Sequence, residues 1–298
     1  MVNTFARFYV DLRARDGRAA LVDRLADHGL VTFDRIAGRN DALALMRSVA
    51  TVVHHRDSDP DGVTVLTATE PPARVRSGFA GFSSRELVPH TEGSSLPGPP
   101  TLVMLLCAVP AREGGATEVI DGREVYDSLA AEAPEVLREL VTPRSALFGT
   151  GAGHLGSVFE PVGGGAACIR FRHDDLARFS PAVTAVLPHL LEVMHARTVR
   201  FTVGPGQGYI LQNGRWLHGR TEFGGRRQMY RILGEPHPAD RLGRSVGFGF
   251  MPTEFPCSSS ISGPEASSRE PEQHKHLHTG AAVSALVEQG GAPPRWGA

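Results

Sequence analysis

The stretch from Thr101 to Val109, TLVMLLCAV, constrains the fold more than any other. It reads as a strand, and an apolar run this long without a break belongs in the middle of a core. Such a strand needs neighbours, and the chain supplies short ones: Leu30–Phe33, Gly62–Leu66, Cys168–Phe171, Val199–Val203 and two apolar runs inside Gly208–Arg231. The 34 glycines and 22 prolines suit many short strands joined by turns. Helical patterns occupy 17–28, 41–49, 124–131, 134–141 and 181–196. The last opens with Ser180-Pro181, a capping hydroxyl followed by proline at the first position, and is expected to kink or divide at Pro188. Strands at both ends of the core, with helices early and in the middle, argue for a mainly β fold with helical insertions rather than regular βαβ alternation.

Lys+Arg total 31 against 32 Asp+Glu, so no broad basic field invites nucleic acid. The N-terminal stretch carries early charges instead of a signal-peptide core, and no apolar run is long enough for a membrane span. Cys107, Cys168 and Cys257 are far apart and odd in number, which points to a reducing cytoplasm without a disulfide framework. Residues 1–257 read as one domain with helical insertions. The segment 258–298 is polar, with HKHLH at 274–278 and a short helical pattern at 280–288. Oligomeric state is not legible.

Chemistry concentrates in GYILQNGRWLHGRTEFGGRRQMYR, residues 208–231. If RRQMYRIL is a strand, Arg227, Met229, Arg231 and Leu233 share a face. Two guanidiniums on one face are costly unless they meet an anion, or unless the strand is an exposed edge. Upstream, His90 and Glu92 share a face if their segment is extended. With His218 they make two imidazoles and one carboxylate, a facial set that suits octahedral iron with open positions and, by ligand type alone, zinc. Gly114-Gly115 lets the backbone turn tightly and approach something closely. His54-His55-Arg56 reads as surface or loop, because adjacent side chains diverge and cannot easily bind one ion. Arg170 and Arg172 share a strand face that reads as solvated, with the substrate mouth as the alternative. Asn213 and Arg215 brace the His218 strand or serve a surface turn, and Arg220 is divided between an exposed salt bridge and a role near the site.

The ordered set His90-x-Glu92, Pro110-Ala111 through Gly114-Gly115-Ala116-Thr117, Asp121-Gly122, Asn213 to Phe223 and Arg227 resembles the iron and 2-oxoglutarate dependent dioxygenases, in the taurine dioxygenase and clavaminate synthase-like branch. The resemblance implies a double-stranded β-helix, a jelly roll of two packed sheets. It implies Fe(II) held by His90, Glu92 and His218, with 2-oxoglutarate held by Arg227 and Thr117. It implies O2 as oxidant, and an acidic group of the substrate at Arg231. Hydroxylation of a small amino-acid-derived or natural-product intermediate, free or carrier-tethered, with release of succinate and CO2, is the activity it implies. Two departures stand out. Glu92 takes the place of the commoner Asp, and Arg227 comes only nine positions after His218. The readings from other classes are a non-catalytic jelly roll that binds an acidic metabolite, and a zinc hydrolase.

Overall fold

The Leu102–Val109 strand sits at the centre of the larger of two facing antiparallel sheets. The computed structural model describes residues 4–68, 78–243 and 248–253. The larger sheet runs Leu30–Phe33, Gly208–Gln212, Leu102–Val109, Gln228–Pro236 and Ala50–Val53, with Val63–Thr67 also paired to Gln228–Pro236. The smaller runs Val199–Phe201, Thr117–Asp121, Trp216–Arg220 and Leu87–His90.

The central strand is apolar throughout because both of its faces are covered. Leu102, Met104 and Leu106 face outward onto helices Gly17–His28 and Arg39–Val49, through Leu21, Leu25, Ala42 and Met46. Val103, Leu105 and Cys107 face inward, where they meet Val119, Phe201 and Trp216 of the smaller sheet. Met229 and Leu233 share that inner face, while Ile232 points outward, so the alternation expected of 227–233 holds. The smaller sheet turns Ile120 and Leu217 outward onto helices Gly122–Glu132, Pro134–Val141 and Pro181–Ala196. The result is a jelly-roll sandwich with helices on both outer faces.

Of the two outcomes expected at Pro188, division does not occur. Pro181–Ala196 is a single helix that runs through Pro188 undivided. Val183, Leu187, Leu190 and Met194 form one buried stripe along it. Burying four large side chains at about 1.5–3 kcal/mol each outweighs the roughly 3 kcal/mol cost of an interior proline. The glycine-rich 149–167 region is a hairpin in part, pairing Phe159–Gly163 with Ala166–Ile169. The polar segment from 258 onward, with its histidine cluster and short helical pattern, lies outside the described residues. No helix among the described residues is long and apolar enough to cross a membrane.

Candidate active site

Strand alternation delivers the first ligand candidates. Trp216 and Leu217 point to opposite faces, so His218 points inward with Trp216. In the antiparallel pairing His218 stands opposite His90, the last residue of its strand, with the two ring centroids 4.7 Å apart. The strands approach this closely because residue 219 is glycine. A Cβ there would lie 2.4 Å from the Leu87 carbonyl oxygen and 2.8 Å from the Pro89 nitrogen.

Glu92 follows the His90 strand, and its backbone is gripped by Asn213. The Asn213 Oδ1 accepts from the Glu92 N–H at 2.8 Å, while its Nδ2 donates to the carbonyls of Glu92 at 2.8 Å and Pro100 at 2.9 Å. Asn213 therefore braces the Glu92 loop, whereas the sequence suggested the His218 strand. Arg215 pairs with Asp121 at 2.7 Å, and Asp121 caps the next helix by accepting from the Arg123 N–H.

His90, Glu92 and His218 present one ligand atom each, and these atoms all lie within 4.8 Å of one another. Their protonation fits a cation. Burial lowers the His90 imidazole and takes His218 down to about 3, so both rings are neutral and keep a lone pair. Burial alone would raise Glu92, but the Arg231 guanidinium foremost outweighs it, and the carboxyl comes to about 2. The His218 Nδ1 is buried without a hydrogen-bond partner, and its Nε2 is 3.9 Å from Glu92 Oε2. An ionised carboxylate and two neutral imidazoles converging at the floor of a cavity form a donor set for a divalent transition metal.

That cavity measures about 750 Å³ and is lined by Thr117, Tyr209, Arg227 and Arg231 as well as the three converging residues. Arg227 is buried over the Phe223 ring, its guanidinium carbon 5.5 Å from the centroid. It forms no ion pair with any described residue, and burial lowers its pKa. The tight turn expected at Gly114-Gly115 is present, with φ of 68° and 69°. A Cβ on Gly114 would meet the Glu222 carbonyl at 2.1 Å, and Gly115 lies against the Arg227 side chain.

Arg231 is placed differently from its neighbour. Its Nη1 donates to Glu92 Oε2 at 2.8 Å, while Nη2 reaches His55 Nδ1 at 3.3 Å and Thr64 Oγ1 at 3.5 Å. The guanidinium expected to meet a substrate thus already touches the carboxylate of the ligand cluster. His55 sits in the loop expected there and lines the cavity. The reasoning that adjacent histidines diverge was sound, but divergence still lets one of them turn inward.

Two further arginines depart from expectation. Arg220 is buried, with no carboxylate partner among the described residues. It donates to the backbone carbonyls of Ala80, Ser83, Ser84 and Arg85, and burial lowers it to about 10. Arg170 is also buried, donating to the carbonyls of Ser94 at 2.9 Å and Leu96 at 2.7 Å, in the loop just after Glu92. Carbonyl oxygens replace the water each charge has lost, so neither needs the solvated position its sequence suggested. Arg172 lines the cavity and forks onto Asp174. His154 bonds Glu160 at 2.7 Å, and Cys168 is a buried core thiol, as ordinary as expected. Sequence reasoning missed Tyr209 as well; its only signal was an aromatic at an inward strand position beside Gly208.

Comparison with known proteins bears on this cavity. The family model described as taurine catabolism dioxygenase TauD, TfdA family, matches residues 6–233. A uridine-5'-phosphate dioxygenase from a Streptomyces species is 29% identical over 144 residues, covering 44% of this chain and 53% of that protein. The chain therefore matches only about half the length of that relative. An asparagine oxygenase solved with Fe(II), 2S,3S-3-hydroxyasparagine and succinate superposes with a TM-score of 0.59 at 18% identity, covering 73% of this chain and 77% of that one. AAD-2 solved with Mn(II) and N-oxalylglycine gives 0.58 at 14% identity, over 80% and 96%. Identities this low speak for the shared sandwich architecture.

Proposed function

This chain belongs to the taurine catabolism dioxygenase TauD, TfdA family, and from that premise we propose that it is an iron(II)- and 2-oxoglutarate-dependent oxygenase of a small molecule, with the following residues doing the work. His90, Glu92 and His218 hold the iron. Arg227 and Thr117 hold the distal carboxylate of 2-oxoglutarate. The observation that carries this reading is the convergence of the three ligand atoms within 4.8 Å in a cavity that also contains a guanidinium, Arg227, with no ion pair among the described residues.

When bound, iron and 2-oxoglutarate supply the O2-dependent oxidising chemistry, and the co-substrate leaves as succinate and CO2. The chain's own contribution is binding, orientation and charge. His90 and His218 stay neutral because they are buried, so their lone pairs face the cation without a proton to displace. Glu92 stays ionised, and Asn213 fixes its backbone. Arg227 presents a planar fork that matches a carboxylate bidentately, and Thr117 adds a hydroxyl. Tight sheet packing keeps water from the inner end of the cavity, which strengthens each charged contact.

The reaction is a hydroxylation in this reading. The substrate carries an anionic group, met by Arg231 on its Nη2 side, where it takes the place of the contacts to His55 and Thr64. Three buried arginines, Arg220, Arg227 and Arg231, face a single buried carboxylate, Glu92, and this excess of positive charge supports an acidic partner. Amino-acid-derived compounds, free or carrier-tethered, satisfy that requirement, as does a nucleoside monophosphate of the kind named for the Streptomyces relative. The catalytic domain spans residues 1–257 and works in the cytoplasm. The test is anaerobic titration of Fe(II)-loaded protein with 2-oxoglutarate, followed by its charge-transfer band, then succinate release across a panel that includes L-asparagine and uridine 5'-phosphate. His90→Ala, Glu92→Ala and His218→Ala are expected to lose both the band and the turnover. A normal band in any one of them removes that residue from the site.

A further inference from the structure

The inference concerns Tyr209, and it rests on the reading of Arg227 and Thr117 given above. Tyr209 belongs to the larger sheet, yet its ring crosses the gap to the smaller one. It stands edge-on to Phe201, centroids 5.7 Å apart at 83°, and Phe201 is the register partner of Thr117 on the smaller sheet. Tyr209, Thr117 and Arg227 all line the same cavity. Tyr209 is 3% exposed and Thr117 1%, so bulk water serves neither hydroxyl.

Each of the two hydroxyls carries one O–H that it can donate. Arg227, which lies close enough to Tyr209 for the two to interact electrostatically, brings guanidinium protons with no acceptor among the described residues. Burial also disfavours the phenolate, so the Tyr209 oxygen keeps its proton. This end of the cavity therefore carries donors and a positive charge but no anion. A carboxylate complements it, and a neutral or apolar group does not.

We propose that Tyr209 is a third donor to the distal carboxylate of 2-oxoglutarate, beside Arg227 and Thr117, and that it helps select a dicarboxylate over a monocarboxylate 2-oxo acid. Tyr209→Phe removes the hydroxyl and keeps the ring against Phe201. The experiment titrates 2-oxoglutarate and 2-oxopentanoate, which lacks the distal carboxylate, into anaerobic Fe(II)-loaded parent and variant. The Kd for 2-oxoglutarate is expected to rise about tenfold, since a hydrogen bond to a charged group is lost. The Kd for 2-oxopentanoate is expected to stay put. If Tyr209→Phe does not fold, Tyr209→Met fills the space without the hydroxyl and takes its place. An unchanged Kd for 2-oxoglutarate overturns the proposal, and so does an equal loss for both acids, which is the signature of a merely structural ring. If the parent itself gives no charge-transfer band, the proposed function fails and this inference with it; a normal parental band confines any failure to Tyr209.

Discussion

Arg231 Nη1 lies 2.8 Å from Glu92 Oε2, both side chains about nine-tenths buried, so a metal-ligand candidate and a substrate-binding candidate share one ion pair. Removing one partner of a buried pair leaves the other charge without compensation, typically at about 3–5 kcal/mol. Arg231→Ala is therefore expected to lower thermal stability and to weaken metal binding, because Glu92 loses the charge that keeps it ionised and aimed. Arg231→Lys restores the charge but not the fork, so partial recovery of metal affinity is expected. Cobalt(II) titration monitored by its visible bands, alongside thermal unfolding, reads both. Parental cobalt affinity in Arg231→Ala would show that Glu92 does not depend on this arginine.

Asn213 tests whether the backbone of Glu92 needs its clamp. Asn213→Ala leaves the N–H and carbonyl of Glu92 without their partners, at roughly 1–3 kcal/mol for each buried group. Arg215→Ala is the control, since it breaks the nearby Asp121 pair without touching Glu92. Both variants should melt earlier, but only Asn213→Ala should also bind metal more weakly. Equal metal affinity in the two would reduce Asn213 to a structural residue.

Gly219 tests the spacing of the two histidine-bearing strands. In Gly219→Ala the new methyl meets backbone atoms of Leu87 and Pro89, which cannot rotate away. The Leu87–His90 strand must shift, at a cost of roughly 1–3 kcal/mol by analogy with overpacking. His90 moves with it, so metal affinity should drop even where circular dichroism shows a folded protein. A folded variant with unaltered metal binding would contradict this.

Asp61 gives the clearest acid signature away from the site. Arg39 holds it bidentately, Nε to Oδ2 at 2.9 Å and Nη2 to Oδ1 at 2.6 Å, tying helix Arg39–Val49 to the turn before Val63. That hydrogen bonding carries the carboxyl from 3.8 down to about 2. A carboxyl depressed on folding stabilises the protein fully above its unfolded value and loses the contribution as pH falls through the folded one. The melting-temperature difference between parent and Asp61→Asn should thus be constant at neutral pH and shrink between about pH 4 and pH 2. A difference independent of pH over that window would mean that the pair contributes nothing through its charge.

Periodicity in the sequence was enough to place the central strand, the common face of Met229 and Leu233, and the helix over 17–28, because each depends on neighbours a few positions away. What stayed hidden depends on neighbours far away. Asn213 bonds Glu92 from 121 positions along the chain, and Arg220 finds its carbonyls more than 130 positions upstream. A buried arginine satisfied by backbone carbonyls has the same local pattern as a solvated one. Likewise, the stripe that carries a helix through Pro188 gains its energy from other helices, which local pattern does not register.

The sandwich has a consequence for the order in which the protein comes apart. His90 and His218 belong to adjacent strands of the smaller sheet, and Glu92 follows directly from one of them. The contacts Phe201–Tyr209 and Glu92–Arg231 instead reach from one sheet to the other. Warming that loosens the seam between the sheets, without unzipping either one, strains the bridging contacts and spares the histidine pair. On a slow temperature ramp the folded protein is expected to release its 2-oxo acid first and its metal only afterwards.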